Sequence, residues 1–281
     1  MVTIKQALDQ ANNLQQISDS WRLDAELLLA AAIDQSREHL FTWPDQDLTR
    51  IQLQSFDDYC DRRRSGEPIA YILGRQAFWD FDLIVNPSVL IPRPETELLV
   101  EAAIELLESD YSSAATLLDL GTGSGAIALA LATHNARWQL SAVDNSEAAL
   151  AVARENASML GCTNIEFINT SWCDGLQSNH FDLIAANPPY VERGDSHLSK
   201  GSLPFEPIGA LVAEQNGLAD IIAIAEQAKI CLRTGAWLLI EHGFKQKDAV
   251  RKILNEAGYQ NIECLQDLAG LDRMTKAQCG K

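Results

Sequence analysis

Beyond residue 95 the sequence alternates between short apolar runs and segments of helical period, and this alternation restricts the fold more than any other feature. Residues 116–120, 140–143, 165–168, 181–186 and 236–240 read as strands. Residues 126–131, 146–160, 217–232 and 245–257 read as the helices between them, and the tail from 261 to 281 supplies two last strands. Strand–helix alternation implies an α/β fold with a parallel, doubly wound sheet, whose ligands sit at the carboxyl ends of the strands.

The first ~70 residues have a different texture. Trp21, Ala25, Leu28 and Ala32 recur on one helix face, with Ser18, Asp19 and Ser20 as candidate N-caps. Pro44 breaks that pattern, and a helix over 49–64 places Ile51, Phe56, Tyr59 and Cys60 on one side before Gly66 and Pro68. Residues 78–85 alternate around a short polar break and suggest a β-hairpin, after which Pro87, Pro92 and Pro94 stiffen the connector. Three segments follow: a helical recognition domain over 1–74, a hairpin linker over 75–95, and an α/β domain over 96–281.

The 22 Lys and Arg against 39 Asp and Glu give a net charge of −17. Nucleic-acid affinity rests mainly on neutralising phosphates, so no direct nucleic-acid partner is expected. Arg62, Arg63 and Arg64 form the one basic cluster, read as a solvated helix end favoured by the dipole. No apolar run approaches the ~20 residues of a membrane span, and the N-terminus lacks a signal-peptide pattern, so a cytoplasmic monomer is the expectation. The six cysteines are scattered without a C-x-x-C pair and read as reduced core thiols; no metal site is expected.

Two motifs carry chemistry. Gly121, Thr122, Gly123, Ser124 and Gly125 lie between a strand and a helix, where glycines let the backbone turn sharply and approach a ligand. Asp144 ends the next strand, about twenty residues on, where a carboxylate can accept both ribose hydroxyls. A dinucleotide and S-adenosylmethionine both fit such a site. The spacing here is G-x-G-x-G rather than G-x-G-x-x-G, with Asp119 just before it, and this version resembles the class I methyltransferases, whose cofactor has an ammonium instead of a pyrophosphate.

The second motif is Asn187-Pro188-Pro189-Tyr190, at the carboxyl end of a buried-type strand. Two prolines fix the backbone. The Asn187 side-chain carbonyl and the Asn187 and Pro188 backbone carbonyls are acceptors, and Tyr190 offers a flat face. An amide nitrogen is a poor nucleophile because its lone pair is delocalised. Two acceptors that each take one N–H orient the NH₂ group and favour the pyramidal nitrogen that develops as it attacks. A strong general base is not required, because the proton becomes acidic only after the methyl has moved.

With residues 66–74, 86–97, 118–127 and 187–190 the chain closely resembles the bacterial release-factor glutamine methyltransferases, over nearly its whole length. That family methylates the N(5) amide nitrogen of the glutamine in the Gly-Gly-Gln motif of peptide-chain release factors. The resemblance implies a class I, Rossmann-like methyltransferase domain with an N-terminal helical bundle that contacts the release factor. Gly121 to Gly125 would line the methionine end of S-adenosylmethionine, Asp144 would hold its ribose and Trp172 would pack near its adenine. Asn187 and Pro188 would accept the substrate amide hydrogens, with Pro189 and Tyr190 beside them. Phe205-Glu206-Pro207 and Glu241-His242-Gly243 look like family landmarks, read by default as a loop turn and a strand end. The alternative is an adenine-specific DNA methyltransferase, which presents a flipped base amine to the same kind of site. The acidic charge and the helical N-terminus weigh against it.

Overall fold

The computed structural model describes residues 2–110 and 114–280, in two compact units: Met1–Arg75 with Ser199–Phe205, and Gln76–Leu198 with Glu206–Lys281. The first unit is helical, with α1 (Ile4–Gln10), α2 (Trp21–Ile33), α3 (Arg37–Thr42), α4 (Arg50–Arg64) and α5 (Ile69–Leu73). Thr3 and Thr49 start α1 and α4 with reciprocal capping boxes, each closed by a Gln three residues on. Ser18 and Ser20 do not cap α2 in the expected way: Ser20 donates its hydroxyl to Asp24 at 3.2 Å instead. Ile4, Leu28, Leu29, Leu40 and Phe56 make the core. Each such side chain contributes about 1.5–3 kcal/mol by leaving water.

Two helix-face expectations need correction. Phe56 and Cys60 turn inward, but Ile51 is 79% exposed, because it sits in the first turn of α4, ahead of the packed stretch. The three arginines do make a basic last turn of α4 with Arg62 and Arg64 exposed, but Arg63 is only 15% exposed and all three are paired. Arg63 donates to Asp24 at 2.8 Å, Arg62 grips Glu67 and the carbonyls of Tyr71 and Ile72, and Arg64 pairs with Asp61. Arg62 and Arg63 thereby tie α4 to its neighbours, while the Arg64 pair lies within α4.

The second unit opens with the hairpin β1 (Arg75–Phe78) and β2 (Phe81–Ile84), turned at Trp79, whose φ is 58°. The helix α6 (Glu97–Asp110) leads into β3 (Thr116–Leu120), α7 (Ala126–His134), β4 (Gln139–Asp144), α8 (Glu147–Leu160), β5 (Ile165–Asn169) and β6 (Phe181–Ala186). A two-residue pair, β7 (Val191–Glu192) and β8 (Val212–Ala213), precedes the turn α9 (Glu214–Gly217), α10 (Ala219–Cys231), β9 (Leu232–Glu241), α11 (Lys247–Glu256), β10 (Tyr259–Gln266) and β11 (Asp272–Cys279). Seven strands pair in the order β10-β11-β9-β6-β3-β4-β5, parallel from β9 to β5, with β11 and β10 antiparallel.

The register positions the site. Leu120 is level with Val143 of β4 and Ala186 of β6, and Ala186 is level with Ile240 of β9. The chain order reverses between β3 and β6, where crossovers leave on opposite faces and a crevice opens past the carboxyl ends. The residues that follow these four strands therefore emerge side by side: Gly121, Asp144, Asn187 and Glu241.

Candidate active site

At that crevice lies a cavity of about 320 Å³, within the range of small-molecule sites. Gly121, Gly123, Asp144, Trp172, Asn187 and Pro189 line it together. Among the other sequence-selected residues, Thr122, Ser124, Gly125, Pro188 and Tyr190 are not in its lining. Thr122 is buried and donates its hydroxyl to Asp119 at 2.6 Å.

The glycine turn is held from within. The Gly121 and Thr122 amides donate to the Val143 carbonyl, the Gly125 amide to the Thr122 carbonyl, and the Gly123 amide to Asp144 Oδ2 at 2.9 Å. Gly125 has φ 89°, and a Cβ there would press on Leu129 at 2.9 Å and Ala153 at 3.3 Å, so only glycine lets α7 pack this closely. Asn156, fully buried, donates to the carbonyls of Ser124 and Ile84 and so ties the turn to β2.

Asp119 decides which ligand suits this turn. Its Oδ2 accepts from the Ala128 amide at 3.2 Å, in the first turn of α7, while Oδ1 has no hydrogen-bond partner. Burial pushes its carboxyl up to about 7, against the hydrogen bonds from Thr122 and Ala128. An acidic side chain already occupies the helix N-terminus, accepting the Ala128 amide, and becomes a full negative charge as it ionises. A pyrophosphate would meet that charge; an ammonium would be drawn by it. Asp144 also accepts from the Ser146 amide through Oδ1, yet stays on the cavity wall, where a carboxylate can accept from a ligand's hydroxyls. Trp172 lines the wall beside Gly121, and Asp220 lines it too. The lining therefore fits S-adenosylmethionine, with a carboxylate at Asp144, an aromatic face at Trp172 and the glycine turn between them, and Asp119 is buried beneath that turn.

Asn187, in the tetrapeptide after β6, is bound on its far side. Its Nδ2 donates to Thr96 Oγ1 at 3.0 Å, and Thr96 donates in turn to Glu241 Oε2 at 2.7 Å. Tyr190 donates its hydroxyl to Glu241 Oε1 at 3.2 Å. Glu241 is 1% exposed, and burial pushes its carboxyl up to about 7 despite these bonds and the nearby Arg273. The Tyr190 carbonyl accepts from Gln246 Nε2 at 3.1 Å. His242 is fully buried, its Nδ1 bonded to the Gly243 carbonyl and its Nε2 to the Thr275 hydroxyl. Burial depresses its pKa, and both ring nitrogens are engaged within the protein, so His242 does not present a base to the cavity.

From sequence, no role falls to Thr96, Glu206 or Glu241, the last two named only within family landmarks, and Gln246 is not singled out. Glu241-His242-Gly243 is a strand end as expected, but its first residue reaches the tetrapeptide. Glu206 is more than a loop turn: it accepts from the Arg93 guanidinium at 2.6 Å and the Ile91 amide at 3.1 Å, pinning the proline-rich connector. The signal for Glu241 was an acidic residue ending an otherwise apolar strand level with β6.

Comparison with known proteins then identifies the lineage. Residues 6–74 match the model of the PrmC N-terminal domain, and residues 95–202 that of the methyltransferase small domain. The release factor glutamine methyltransferase of Vibrio cholerae is 49% identical, with 99% of this chain and 97% of the relative covered. The chain belongs to the release factor glutamine methyltransferase family. The enzymes of that name from Pseudomonas aeruginosa (49% identical, covering 93% of this chain and 94% of the relative) and Coxiella burnetii (43%, all of both chains) agree. Solved structures share the fold. A methyltransferase from Pyrococcus furiosus has a TM-score of 0.53 at 17% identity, over 80% of this chain and all of that one. The ribosomal protein L11 methylase of Lactobacillus delbrueckii subsp. bulgaricus has 0.51 at 21%, over 70% and 84%. The family fixes the cofactor as S-adenosylmethionine. Among the described residues no helix is long and apolar enough to cross a membrane, and no group of His, Cys, Asp and Glu could hold a metal ion.

Proposed function

We propose that this enzyme transfers a methyl group from S-adenosylmethionine to the side-chain amide nitrogen of the glutamine in the Gly-Gly-Gln motif of peptide-chain release factors, acting in the cytoplasm. The observation that carries the reading is the placement of Asn187 on the same cavity wall as Gly121, Asp144 and Trp172. The nitrogen acceptor and the cofactor groups thereby face one space.

Bound S-adenosylmethionine supplies an electrophilic methyl group on a sulfonium. The turn from Gly121 to Gly125, through Gly121 and Gly123 at the cavity wall and with Asp119 buried beneath it, would hold the amino-acid end of the cofactor, Asp144 the ribose and Trp172 the adenine. Asn187 Oδ1 and the Pro188 carbonyl accept the two amide hydrogens of the glutamine. Pro188 and Pro189 keep those acceptors fixed, so little reorganisation is needed as the nitrogen pyramidalises. Tyr190 walls the amide with its ring, because its hydroxyl is committed to Glu241. The aligned approach supplies the rest by proximity. The helical unit is the recognition element for the release factor, and the enzyme works as a monomer.

The test offers purified enzyme labelled S-adenosylmethionine with a release factor or with DNA. Label is expected on the release-factor glutamine, and label in DNA alone would overturn the reading. Asn187→Ala should lose methylation by about 100-fold or more while calorimetry finds S-adenosylhomocysteine binding largely kept. Full turnover in that variant would remove the clamp mechanism.

A further inference from the structure

We infer that Glu241 is a positioning residue that acts through Thr96 to decide which end of the Asn187 carboxamide faces the substrate. The inference rests on the function proposed above and names the device behind its central acceptor.

An asparagine carboxamide has a donor end and an acceptor end of nearly the same shape, so packing alone does not choose between them. Only the acceptor end can take a substrate N–H. The chain Asn187–Thr96–Glu241 makes the choice by hydrogen-bond counting. An ionised carboxylate only accepts, so the single Thr96 hydroxyl hydrogen goes to Glu241 Oε2, at 2.7 Å. Toward Asn187 the Thr96 oxygen then has lone pairs and nothing to donate. Asn187 must present its NH₂ there, at 3.0 Å, and its Oδ1 is left for the substrate. The second carboxylate oxygen takes the Tyr190 hydroxyl, so one buried group fixes both the acceptor and the aromatic wall.

The sheet explains why these residues meet. Glu241 ends β9 one step past Ile240, which is level with Ala186, and Asn187 is one step past Ala186. Thr96 is buried at the foot of α6. The charged groups facing Glu241 are Arg273 from β11 and Glu95 beside Thr96, and its titrating hydrogen-bond partner is Tyr190. Next in the chain, burial lowers the pKa of His242. When Glu241 takes a proton it can donate, the Thr96 hydrogen is released, and the Asn187 amide loses its enforced polarity.

Thr96→Val keeps the shape and removes the hydroxyl. Its kcat on a release factor should fall by about 10- to 100-fold, the effect of a loosened acceptor, with the Kd of S-adenosylhomocysteine within about twofold of wild type. Thr96→Ser restores the hydroxyl and should restore kcat. At saturating cofactor the wild-type kcat should decline as pH falls through about 7, and Glu241→Gln, which does not titrate, should flatten that limb. A wild-type kcat in Thr96→Val, or the same acid limb in Glu241→Gln, overturns the inference. The wild-type measurement separates the two readings. If wild type places no label on the release factor, the proposed function falls. If it does and Thr96→Val matches its rate, only the positioning role falls.

Discussion

Single carboxylates divide the labour of this site, and their surroundings decide the division. Asp119 lies one residue before the end of β3, and Asp144 and Glu241 end β4 and β9 of the same sheet, yet only Asp144 of the three reaches the cavity wall. Asp119 is sealed under the glycine turn, and Glu241 under the tetrapeptide. For Asp144 the consequence is a measurable dependence of cofactor affinity. Asp144→Ala should weaken S-adenosylhomocysteine binding by on the order of 1.5–3 kcal/mol, the worth of hydrogen bonds to a charged group. Calorimetry checks this, and unchanged affinity would mean that the ribose lies elsewhere. Part of the loss comes indirectly, since the Gly123 amide also loses its acceptor.

At the scale of elements, the tetrapeptide is held by a turn that looks incidental in the sequence. Gln215, Asn216 and Gly217 all have positive φ, and only the last is a glycine. A Cβ at Gly217 would collide with the Tyr190 carbonyl, and that carbonyl is the one Gln246 binds from the loop before α11. Gly217→Ala should therefore destabilise the fold by about 1–3 kcal/mol and displace the tetrapeptide. Lower urea midpoints with reduced kcat are expected; wild-type kcat would show that the turn has no hold on Tyr190. This is also where sequence reading reaches its limit. Strand and helix periods, the glycine turn and the tetrapeptide are local patterns, and all were legible. So was the acidic residue after β4. The helix expected over 217–232 in fact begins at Ala219, after a left-handed turn that periodicity does not register. Thr96, Glu241 and Gln246 lie 91, 54 and 59 residues from Asn187 by their numbering. Only the β6–β9 register and the foot of α6 bring them together, and no local pattern encodes that meeting. Ile51 shows the same limit from the opposite side: it has the right spacing, but nothing packs over the first turn of its helix.

For the whole molecule, burying carboxylates for the site has a cost that pH exposes. Asp119 and Glu241 are both pushed up to about 7 by burial, from ordinary values of 3.8 and 4.5. The folded chain therefore binds these protons more tightly than the unfolded chain does. Below the ordinary values both states are protonated and no penalty exists. As pH rises toward 7 the unfolded chain releases its protons first, so the folded state loses ground through that window and carries the full cost above it. The net charge of −17 adds self-repulsion in the same direction as the acids ionise. Glu241→Gln isolates one contribution, because it removes a single titrating group and leaves Asp119 and the surface unchanged. The stability of wild type minus that of Glu241→Gln should fall by on the order of a few kcal/mol between pH 5 and pH 8. Urea unfolding of both proteins at the two pH values measures it. A difference that stays flat or grows with pH would mean that burial does not raise the Glu241 pKa, and the loss of its control over Thr96 and Asn187 on protonation would not fall near pH 7.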